Sequence, residues 1–364
     1  MLSERDVLAK QAGPRPADMD LRLRHIKEAR PRHVSQVAGK LAERLDVRLA
    51  PPSTRHTDEL LMLAYPDRLA HRRPGSQPRY VLANGRGVRL PEDDALATAE
   101  WLAVAHLDGA QREGRIFLAA ATSRSRIEDV FADEIEDCEV IEWDDTAEAV
   151  VARNERRLGA LALQSRVQPH PDPDRTTELL LEAIRRKGLQ VLPWTKSAKA
   201  WLDRARFAAT LAEDASPAMT DEALLGSLED WLAPFLGGMS RLKHLDKLDL
   251  LGALTYRLGP QQSARLDAIA PAKIQLHNNK KFPLDYETGE PVLAVRLQDV
   301  FGLAETPRVA EGRMPVTLHL LSPARRPVQI TRDLASFWKN GYREVRKEMK
   351  GRYPKHEWPE SPGA

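Results

Sequence analysis

The spacing of hydrophobic and polar residues divides the chain into segments of different kinds. Leucines recur every four positions up to residue 49, which predicts helices over 1–50, interrupted at 13–16 and ended by the proline pair at 51–52. Between 60 and 143, short apolar runs alternate with glycine-containing turns, a pattern typical of a small β-rich unit. Helical spacing returns over 146–265, and strands and helices mix from 271 onward.

The β-rich segment carries local signals for individual elements. Asn84-Gly85 stands between the apolar runs of 79–90 and predicts a β-hairpin. Several short strands with one helix favour a closed or partly open barrel. The other predicted elements are strands over 101–107, 115–121 and 140–143 and a helix over 126–136.

The C-terminal segment begins with an alternating strand and ends with a helix. Apolar and polar residues alternate over 316–320, which predicts a strand followed by a proline-bracketed turn that carries Arg325 and Arg326. Extended structure resumes at 328–330, and Thr331 then caps one long helix with a basic face.

Composition describes a globular protein of more than one domain. The 364 residues are 42% hydrophobic and 30% charged, which excludes global disorder, collagen-like repeats and a coiled-coil rod. The single cysteine, Cys138, excludes an intrachain disulfide and favours a reducing compartment, so we expect a cytoplasmic protein. No apolar run is long enough to span a membrane, and the start MLSERDVLAK carries charges where a signal peptide needs an apolar run, so we expect neither a membrane span nor an export signal.

Charge is unevenly distributed along the chain. Eleven acidic residues stand against one basic residue over 126–148, and ten basic residues stand against three acidic ones over 322–355. The formal net charge of +2 therefore conceals an acidic block and a basic C-terminal segment that attracts phosphates.

Motifs for nucleotide or metal chemistry are missing. The sequence contains neither the phosphate-binding G-x-x-x-x-G-K-[ST] loop nor the dinucleotide motif G-x-G-x-x-G. The histidines are scattered, His319 fits a structural position on its strand, and the acidic residues Asp285, Glu287 and Glu290 fit a turn better than a cation site. We therefore expect no catalytic residues, cofactor or metal site in this chain.

Residues 315–362 read PVTLHLLSPARRPVQITRDLASFWKNGYREVRKEMKGRYPKHEWPESP. This run closely resembles the C-terminal signature of bacterial HrpB-type DExH-box ATP-dependent helicases. Shorter segments resemble landmarks of the same family, in the family's order: LSERD (2–6), LAYPDRLAHRR (63–73), RRLGALAL (156–163), LPW (192–194), WLAPFL (231–236) and PVLAVRLQDVFGL (291–303).

The resemblance implies a multidomain α+β protein that corresponds to the C-terminal half of such a helicase. Residues 1–50 would be the end of a helicase-associated helical bundle, 55–145 an OB-like β-barrel, and 146–364 the family's C-terminal extension. We expect this extension to be helical over 146–265 and mixed α/β over 271–364, ending in a long basic helix. A truncated product, a mis-started frame and half of a split protein all remain open.

The resemblance also bears on activity. The family's ATP and Mg²⁺ sites lie in motor domains whose motifs match no residue here, so the chain is predicted to be inactive alone. The expected partners are single-stranded RNA or DNA and the helicase motor domains, in cis or in trans. The alternative is a protein-interaction scaffold that does not bind nucleic acid.

The residues predicted to contact nucleic acid are basic side chains with the reach and charge to bind phosphates. At the C-terminus they are Arg325, Arg326, Arg332, Lys339, Arg343, Arg346, Lys347, Lys350, Arg352 and Lys355, and in the barrel they are Arg68, Arg72 and Arg73, with Arg86 beside them.

Several of these side chains have a second interpretation. Arg325 and Arg326 either bind phosphates, pair with the acidic block over 126–148, or add solubility. Arg68 either contacts RNA or pairs with Asp67 and Asp58. The basic helix stripe is also compatible with a solvated face.

The aromatic residues of the C-terminal segment have alternatives too. Phe337, Trp338 and Tyr342 fit core packing better than base stacking, given their helical spacing with apolar neighbours. For Tyr353 and Trp358 we favour a clamp on the domain over contact with a base.

Overall fold

The computed structural model describes residues 7–8, 15–75, 77–109, 113–211, 218–277 and 279–363. Contacts divide the protein into two compact units, the first comprising Met1–Val140 with Ala152–Pro169 and the second Ile141–Val151 with His170–Ala364. The family-like segment over 2–6 lies outside the described residues. Across those ranges the fold is α+β, and no helix in them is both long and apolar enough to cross a bilayer.

A closed five-stranded barrel dominates unit 1. Alternation along each strand turns Tyr80, Val88 and Ile116 inward, each at most 1% exposed. The Tyr80 hydroxyl donates to the Leu96 carbonyl at 3.1 Å, and burial raises its pKa. The strands close in the order β1-β2-β3-β5-β4. They are β1 (Leu69–Arg72), β2 (Arg79–Leu82), β3 (Gly87–Arg89), β4 (Trp101–Leu107) and β5 (Gly114–Thr122), which confirms the predicted hairpin and the two strands after it.

Unit 1 contains the helices α1 (Met19–Ala29), α2 (Arg32–Arg44), α3 (Thr57–Ala64) and α4 (Arg124–Val130), of which α1, α3 and α4 pack on the barrel. In α3, Asp58 is 5% exposed, pairs with Arg126 of α4 at 3.0 Å and accepts a hydrogen bond from Thr122 at 2.9 Å. These bonds tie both helices to β5.

A three-stranded sheet follows α4 and corrects one prediction. Its strands are β6 (Glu136–Asp144), β7 (Ala149–Leu158) and β8 (Leu161–Val167), with β7 in the centre. We expected mostly helix from 146 onward, but 149–167 is a β-hairpin that turns at Gly159. Polar residues interrupt the alternation of apolar and polar positions in this segment. Glu155, for example, is a buried polar residue of the central strand β7. The period of two that indicates a strand is therefore hidden in the sequence.

Unit 2 has one continuous apolar core to which both its helices and its strands contribute. Its largest fully buried side chain is Trp231, whose indole N–H donates to the Leu224 carbonyl at 3.0 Å. The helices up to 269 are α5 (Pro173–Lys187), α6 (Lys196–Leu211), α7 (Asp221–Gly226), α8 (Leu228–Trp231), α9 (Leu250–Leu258) and α10 (Pro260–Ile269).

The C-terminal part of unit 2 contains a sheet in the order β11-β14-β15. Strands β11 and β14 are parallel, and β14 and β15 form the predicted hairpin with Arg325 and Arg326 in its turn. The strands of this part are β9 (Lys273–Gln275), β10 (Lys281–Pro283), β11 (Val292–Arg296), β12 (Arg308–Val309), β13 (Met314–Pro315), β14 (Thr317–Leu321) and β15 (Pro327–Thr331).

The single terminal helix predicted from the sequence is two helices, α11 (Leu334–Asn340) and α12 (Tyr342–Arg352). Asp333, rather than Thr331, caps α11 by accepting from the Ser336 N–H at 2.8 Å. The division falls at Gly341, a residue type with low helix propensity.

Candidate nucleic-acid interface

Three arginines form a row across the outer face of the barrel. In the strand register, Arg79 of β2 lies opposite Arg89 of β3, and Arg89 lies opposite Arg115 of β5. All three are exposed, because their neighbours on each strand occupy the interior. Directly opposite residues of an antiparallel pair such as Arg79 and Arg89 have Cβ atoms about 4.5–5.5 Å apart. With Arg115 on the parallel neighbour β5, the row brings three positive charges together. Glu113 faces one end, with a carboxylate oxygen 3.6 Å from Arg79 Nε.

Aromatic side chains extend this row along β5. Phe117 points to the same face as Arg115 and is 39% exposed, although it is a large apolar residue. The Arg115 guanidinium carbon lies 5.6 Å from the Phe117 ring centroid, and the His106 ring lies 5.3 Å from it. The face therefore combines cations with an accessible aromatic ring, the two groups that bind a single-stranded nucleic acid.

Of the predicted barrel residues, Arg68 and Arg86 come together at one end of the barrel. They line a polar cavity of about 220 Å³ with Asp67, Asn84 and Asp108. Arg68 does not pair with either acidic residue considered from the sequence; its guanidinium donates to the Ala105 carbonyl at 2.9 Å and lies 4.7 Å from the Tyr65 ring centroid. Arg86 donates to the Asp108 carbonyl at 2.9 Å.

Arg72 and Arg73 lie at the other end of β1. The Arg72 side-chain Nε is buried and finds no hydrogen-bond partner among the described residues. Nearby, His71 stacks on Trp101 with ring centroids 4.0 Å apart, and burial lowers the pKa of His71 against the opposing effect of Glu100. The structure therefore separates Arg72 and Arg73 from the cavity that holds Arg68.

In unit 2, Arg325 and Arg326 occupy the exposed tip of the β14–β15 hairpin. Arg325 has a φ of 61°, and the turn closes by a hydrogen bond from its N–H to the Ser322 carbonyl at 2.8 Å. The Ser322 hydroxyl accepts from the Arg326 N–H at 3.1 Å. The backbone of the turn is thus fixed while both guanidinium groups project to solvent.

Some of the other basic residues of this segment are bonded to protein groups, and the others are exposed to solvent. Arg332 pairs with Glu290 and donates to the Thr317 hydroxyl at 3.0 Å, while Arg346 donates to the Trp358 carbonyl at 2.9 Å. Arg352 lies 3.6 Å from Glu348 on the same helix. The remaining members are exposed: Lys339 on α11, Arg343, Lys347 and Lys350 on one face of α12, and Lys355 beyond it.

The aromatic residues near the C-terminus belong to the core. Phe337 is 6% and Tyr342 2% exposed, and Trp338 donates from its indole N–H to the Leu303 carbonyl at 2.7 Å. Trp358 is 7% exposed, and its indole N–H donates to the Tyr353 carbonyl at 3.0 Å. Residues 353–362 therefore clamp onto unit 2, as favoured from the sequence.

The structure offers no obvious metal chemistry within the ranges it describes. There, no group of three or more His, Cys, Asp or Glu side chains lies close enough together to hold a metal ion. Asp285 accepts from the Glu287 N–H at 2.9 Å, which makes this acidic segment a closed turn.

The arginine row was missed in the sequence, although part of its signal is there. Arg79 and Arg89 lie at equal distances from Asn84, so a hairpin centred on that residue places them opposite each other. Arg115 joins them only because β3 and β5 pair in parallel, and no local pattern predicts that pairing.

Comparison with known proteins gives two family matches. Residues 231–362 match the family described as ATP-dependent helicase C-terminal, and residues 134–167 match the connector region of the ATP-dependent RNA helicase HrpB.

Similar proteins agree with these matches. The ATP-dependent RNA helicase HrpB of Escherichia coli K12 is 40% identical over 331 residues, which cover 90% of this chain. The crystal structure of the E. coli DExH-box NTPase HrpB aligns with a TM-score of 0.53 at 38% identity, covering 97% of this chain and 44% of that one. The chain spans 41% of the length of the curated relative. The chain therefore belongs to the HrpB family of helicases and corresponds to the C-terminal portion of its members.

Proposed function

We propose that this chain is an accessory region of an ATP-dependent RNA helicase that binds single-stranded RNA or DNA, chiefly through phosphates. The chain acts beside the helicase motor domains, which supply the ATP and Mg²⁺ sites, in the cytoplasm. It helps the helicase to bind the single-stranded nucleic acid and does not hydrolyse ATP by itself.

The observation that carries this proposal is the register of Arg79, Arg89 and Arg115. Like charges directly opposite each other on neighbouring strands destabilise a sheet. A phosphate chain lying across the strands relieves that repulsion and binds each guanidinium by charge-assisted hydrogen bonds. The row therefore lowers the folding stability of the free protein, and bound phosphates restore it in the complex with nucleic acid.

The barrel topology supports the same proposal. Five strands closing in the order β1-β2-β3-β5-β4 favour an OB-like identity. Barrels of that type bind single strands with a basic groove and stacked aromatic residues. In this assignment Phe117 and His106 stack on unpaired bases next to the phosphates held by the arginine row.

The hairpin tip of unit 2 provides a second set of contacts in the proposal. Arg325 and Arg326 bind phosphate there, extended by the exposed residues Lys339, Arg343, Lys347, Lys350 and Lys355. Arg332, Arg346 and Arg352 already have carboxylate partners, so we expect them to contribute little.

Fluorescence anisotropy with a labelled oligouridylate tests the barrel assignment. The triple variant Arg79→Ala/Arg89→Ala/Arg115→Ala should bind at least about tenfold more weakly at low salt. Each lost phosphate contact removes about 0.7 from the slope of log affinity against log salt for a single strand, so the triple variant should lose about 2.

A matched control replaces three exposed arginines outside the row, each of which has a carboxylate partner as Arg79 does: Arg124, Arg175 and Arg185. This control should bind like the unmodified chain. Equal weakening in the two triple variants would reduce the effect to net charge and contradict the barrel assignment. The double variant Arg325→Ala/Arg326→Ala measures the contribution of the hairpin tip in the same assay.

A second candidate function is docking to the motor domains, and the exposed apolar residues of the N-terminal helices favour it. Val37, Leu41 and Leu45 follow helical spacing and are 41%, 52% and 68% exposed. Exposed apolar stripes of this kind mark interaction surfaces. Leu41→Asp/Leu45→Asp should abolish co-purification with a separately expressed HrpB motor region while nuclease treatment leaves it intact. Binding that persists in this variant would contradict docking through α2.

A further inference from the structure

A cavity of about 450 Å³ lies in unit 2, far in sequence from the barrel residues assigned to nucleic acid. It opens beside α6, between the segment that joins α5 to α6 and the start of α7. Leu189, Leu202, Leu225 and Trp194 give it an apolar lining. Its volume falls in the range of about 300–1,000 Å³ that is typical of small-ligand sites.

A hydrogen bond fixes the orientation of the Trp194 indole, and the ring itself lines the cavity. Its N–H donates to the Leu189 carbonyl at 2.7 Å, so the polar atom of the side chain is already used. What remains for a ligand is the π surface, on which an apolar stem can pack and which also attracts a nearby cation by its quadrupole.

The charges around the cavity are not balanced. Arg206 lies in the wall but is committed to Asp221, at 2.5 Å, and to the Met219 carbonyl, at 3.0 Å. Asp203 and Glu287 also line the cavity, and neither carboxylate has a hydrogen-bond or ion-pair partner within the described part of the chain. Lys199 is the one remaining cation of the described lining, and it is exposed to solvent.

Electrostatics at Asp203 agree with this imbalance. Burial is the largest effect and raises its pKa, Arg206 and Lys199 oppose the rise, and the Glu287 and Asp285 carboxylates add to it. A carboxyl surrounded in this way is stabilised in its charged form by a positive ligand.

We propose that this cavity binds an organic cation. The guanidinium or ammonium head lies between Asp203 and Glu287, and the apolar stem packs on Leu202, Leu225 and the Trp194 ring. Two sources present this chemistry, an arginine or lysine side chain of a partner protein and a free polyamine.

Fluorine NMR of the full chain labelled with 5-fluorotryptophan tests the proposal. Trp194→Phe removes one resonance and so assigns Trp194. Titration with N-acetylarginine methylamide represents a protein side chain, and titration with spermidine represents a polyamine. The Trp194 resonance should shift and saturate with at least one of them, and the tighter ligand identifies the source.

Variants separate charge recognition from general packing. Asp203→Asn/Glu287→Gln should weaken the tighter ligand by at least about tenfold, the cost of leaving a bound cation without its carboxylates. The control Glu182→Gln/Asp246→Asn removes two exposed carboxylates outside the cavity and should bind as the unmodified chain does. The other tryptophan resonances, which report folding, should remain in place in both variants.

Three outcomes would overturn the proposal. The first is no shift of the Trp194 resonance up to about 10 mM of either cation, where even millimolar affinity saturates. The second is an equal shift with the neutral analogue N-acetylnorleucine methylamide. The third is unchanged affinity in the double carboxylate variant. None of these outcomes bears on nucleic-acid binding by the barrel, so the two proposals fail independently.

Discussion

Arg204 is one of the few charged side chains in the interior of unit 2, and its partners explain why it is there. It is 9% exposed, its Nε donates to the Ala270 carbonyl at 2.7 Å, and its guanidinium pairs with Asp267. A buried guanidinium is tolerated only where its donors are used, because burial of an unpaired charge is costly. This residue therefore fastens the end of α10 to α6.

Replacing Arg204 by Met should destabilise the protein by about 1–3 kcal/mol, because the buried Ala270 carbonyl loses its donor. Urea unfolding monitored by circular dichroism measures the loss. The control Arg185→Met removes an exposed partner of Glu229 and should cost less than about 1 kcal/mol. Similar losses of unfolding free energy in both variants would show that the buried bonds of Arg204 stabilise the protein no more than an exposed ion pair does.

Asp203 should respond to substitution in the opposite direction. Its pKa lies above the ordinary value of 3.8, so the folded chain holds the proton more tightly than the unfolded chain does. The charged carboxyl therefore reduces stability at any pH above the raised value. Asp203→Asn should be more stable than the unmodified chain at neutral pH, and this advantage should shrink as the pH falls through the raised pKa toward 3.8. An advantage that grows on acidification in urea unfolding would contradict the argument.

At the scale of residues, the sequence indicates which side chains could bind phosphate, but not which carboxylates those side chains meet in the folded chain. It chose Arg332 and Arg346 for their charge, but folding brings them to Glu290 and Glu360, which lie 42 and 14 residues away in sequence respectively. Phe117 escaped notice because an isolated phenylalanine in a strand is typical of a core, and its outward direction depends on the register of β5.

At the scale of elements, the turn between β7 and β8 contacts the turn between β2 and β3 within unit 1. The Ala160 N–H donates to the Ala83 carbonyl at 2.8 Å. Gly159 has a φ of 56°, and a Cβ there would lie 2.5 Å from the Ala83 carbonyl oxygen. Glycine is required at this position both by conformation and by the close approach of a second backbone.

Gly159→Ala should therefore cost more than the conformational penalty alone. Gly289 is a matched control, with a φ of 77° and no atom within 4 Å of the place that a Cβ would occupy. We expect Gly289→Ala to lose about 1 kcal/mol and Gly159→Ala to lose about 2–4 kcal/mol, since only the second also displaces backbone. Thermal unfolding of the two variants measures the difference, and equal losses would remove the steric part of the argument.

Elements with local signals were predicted well from the sequence. The turns at Asn84-Gly85 and at 322–326 fix hairpins between residues close in sequence, and both hairpins are present. The parallel pairs β3–β5 and β11–β14 join strands about 25 residues apart, and no residue between them specifies the pairing. The arginine row, which depends on one of these pairs, could not be completed from sequence for that reason.

For the whole molecule, family membership and the missing nucleotide-binding motifs predict that the chain alone does not hydrolyse ATP. The chain matches the C-terminal portion of HrpB, and its sequence contains no G-x-x-x-x-G-K-[ST] loop. Phosphoryl transfer needs a phosphate cradle and a metal ligand. The purified chain should release no phosphate from ATP above background, with or without RNA, in a coupled phosphate assay. Turnover that survives further purification would contradict the accessory role.

The two sheet architectures have different consequences for self-association. A closed barrel has no free strand edge, whereas β15 is one of the two outer strands of its sheet within the described residues. A free edge is a template on which a second copy can add a strand and start aggregation. Pro327 of β15 has no N–H to donate, and the guanidinium groups of Arg325 and Arg326 repel the same groups of an approaching copy. Charge and proline at this edge thus disfavour the addition of a strand from a second copy.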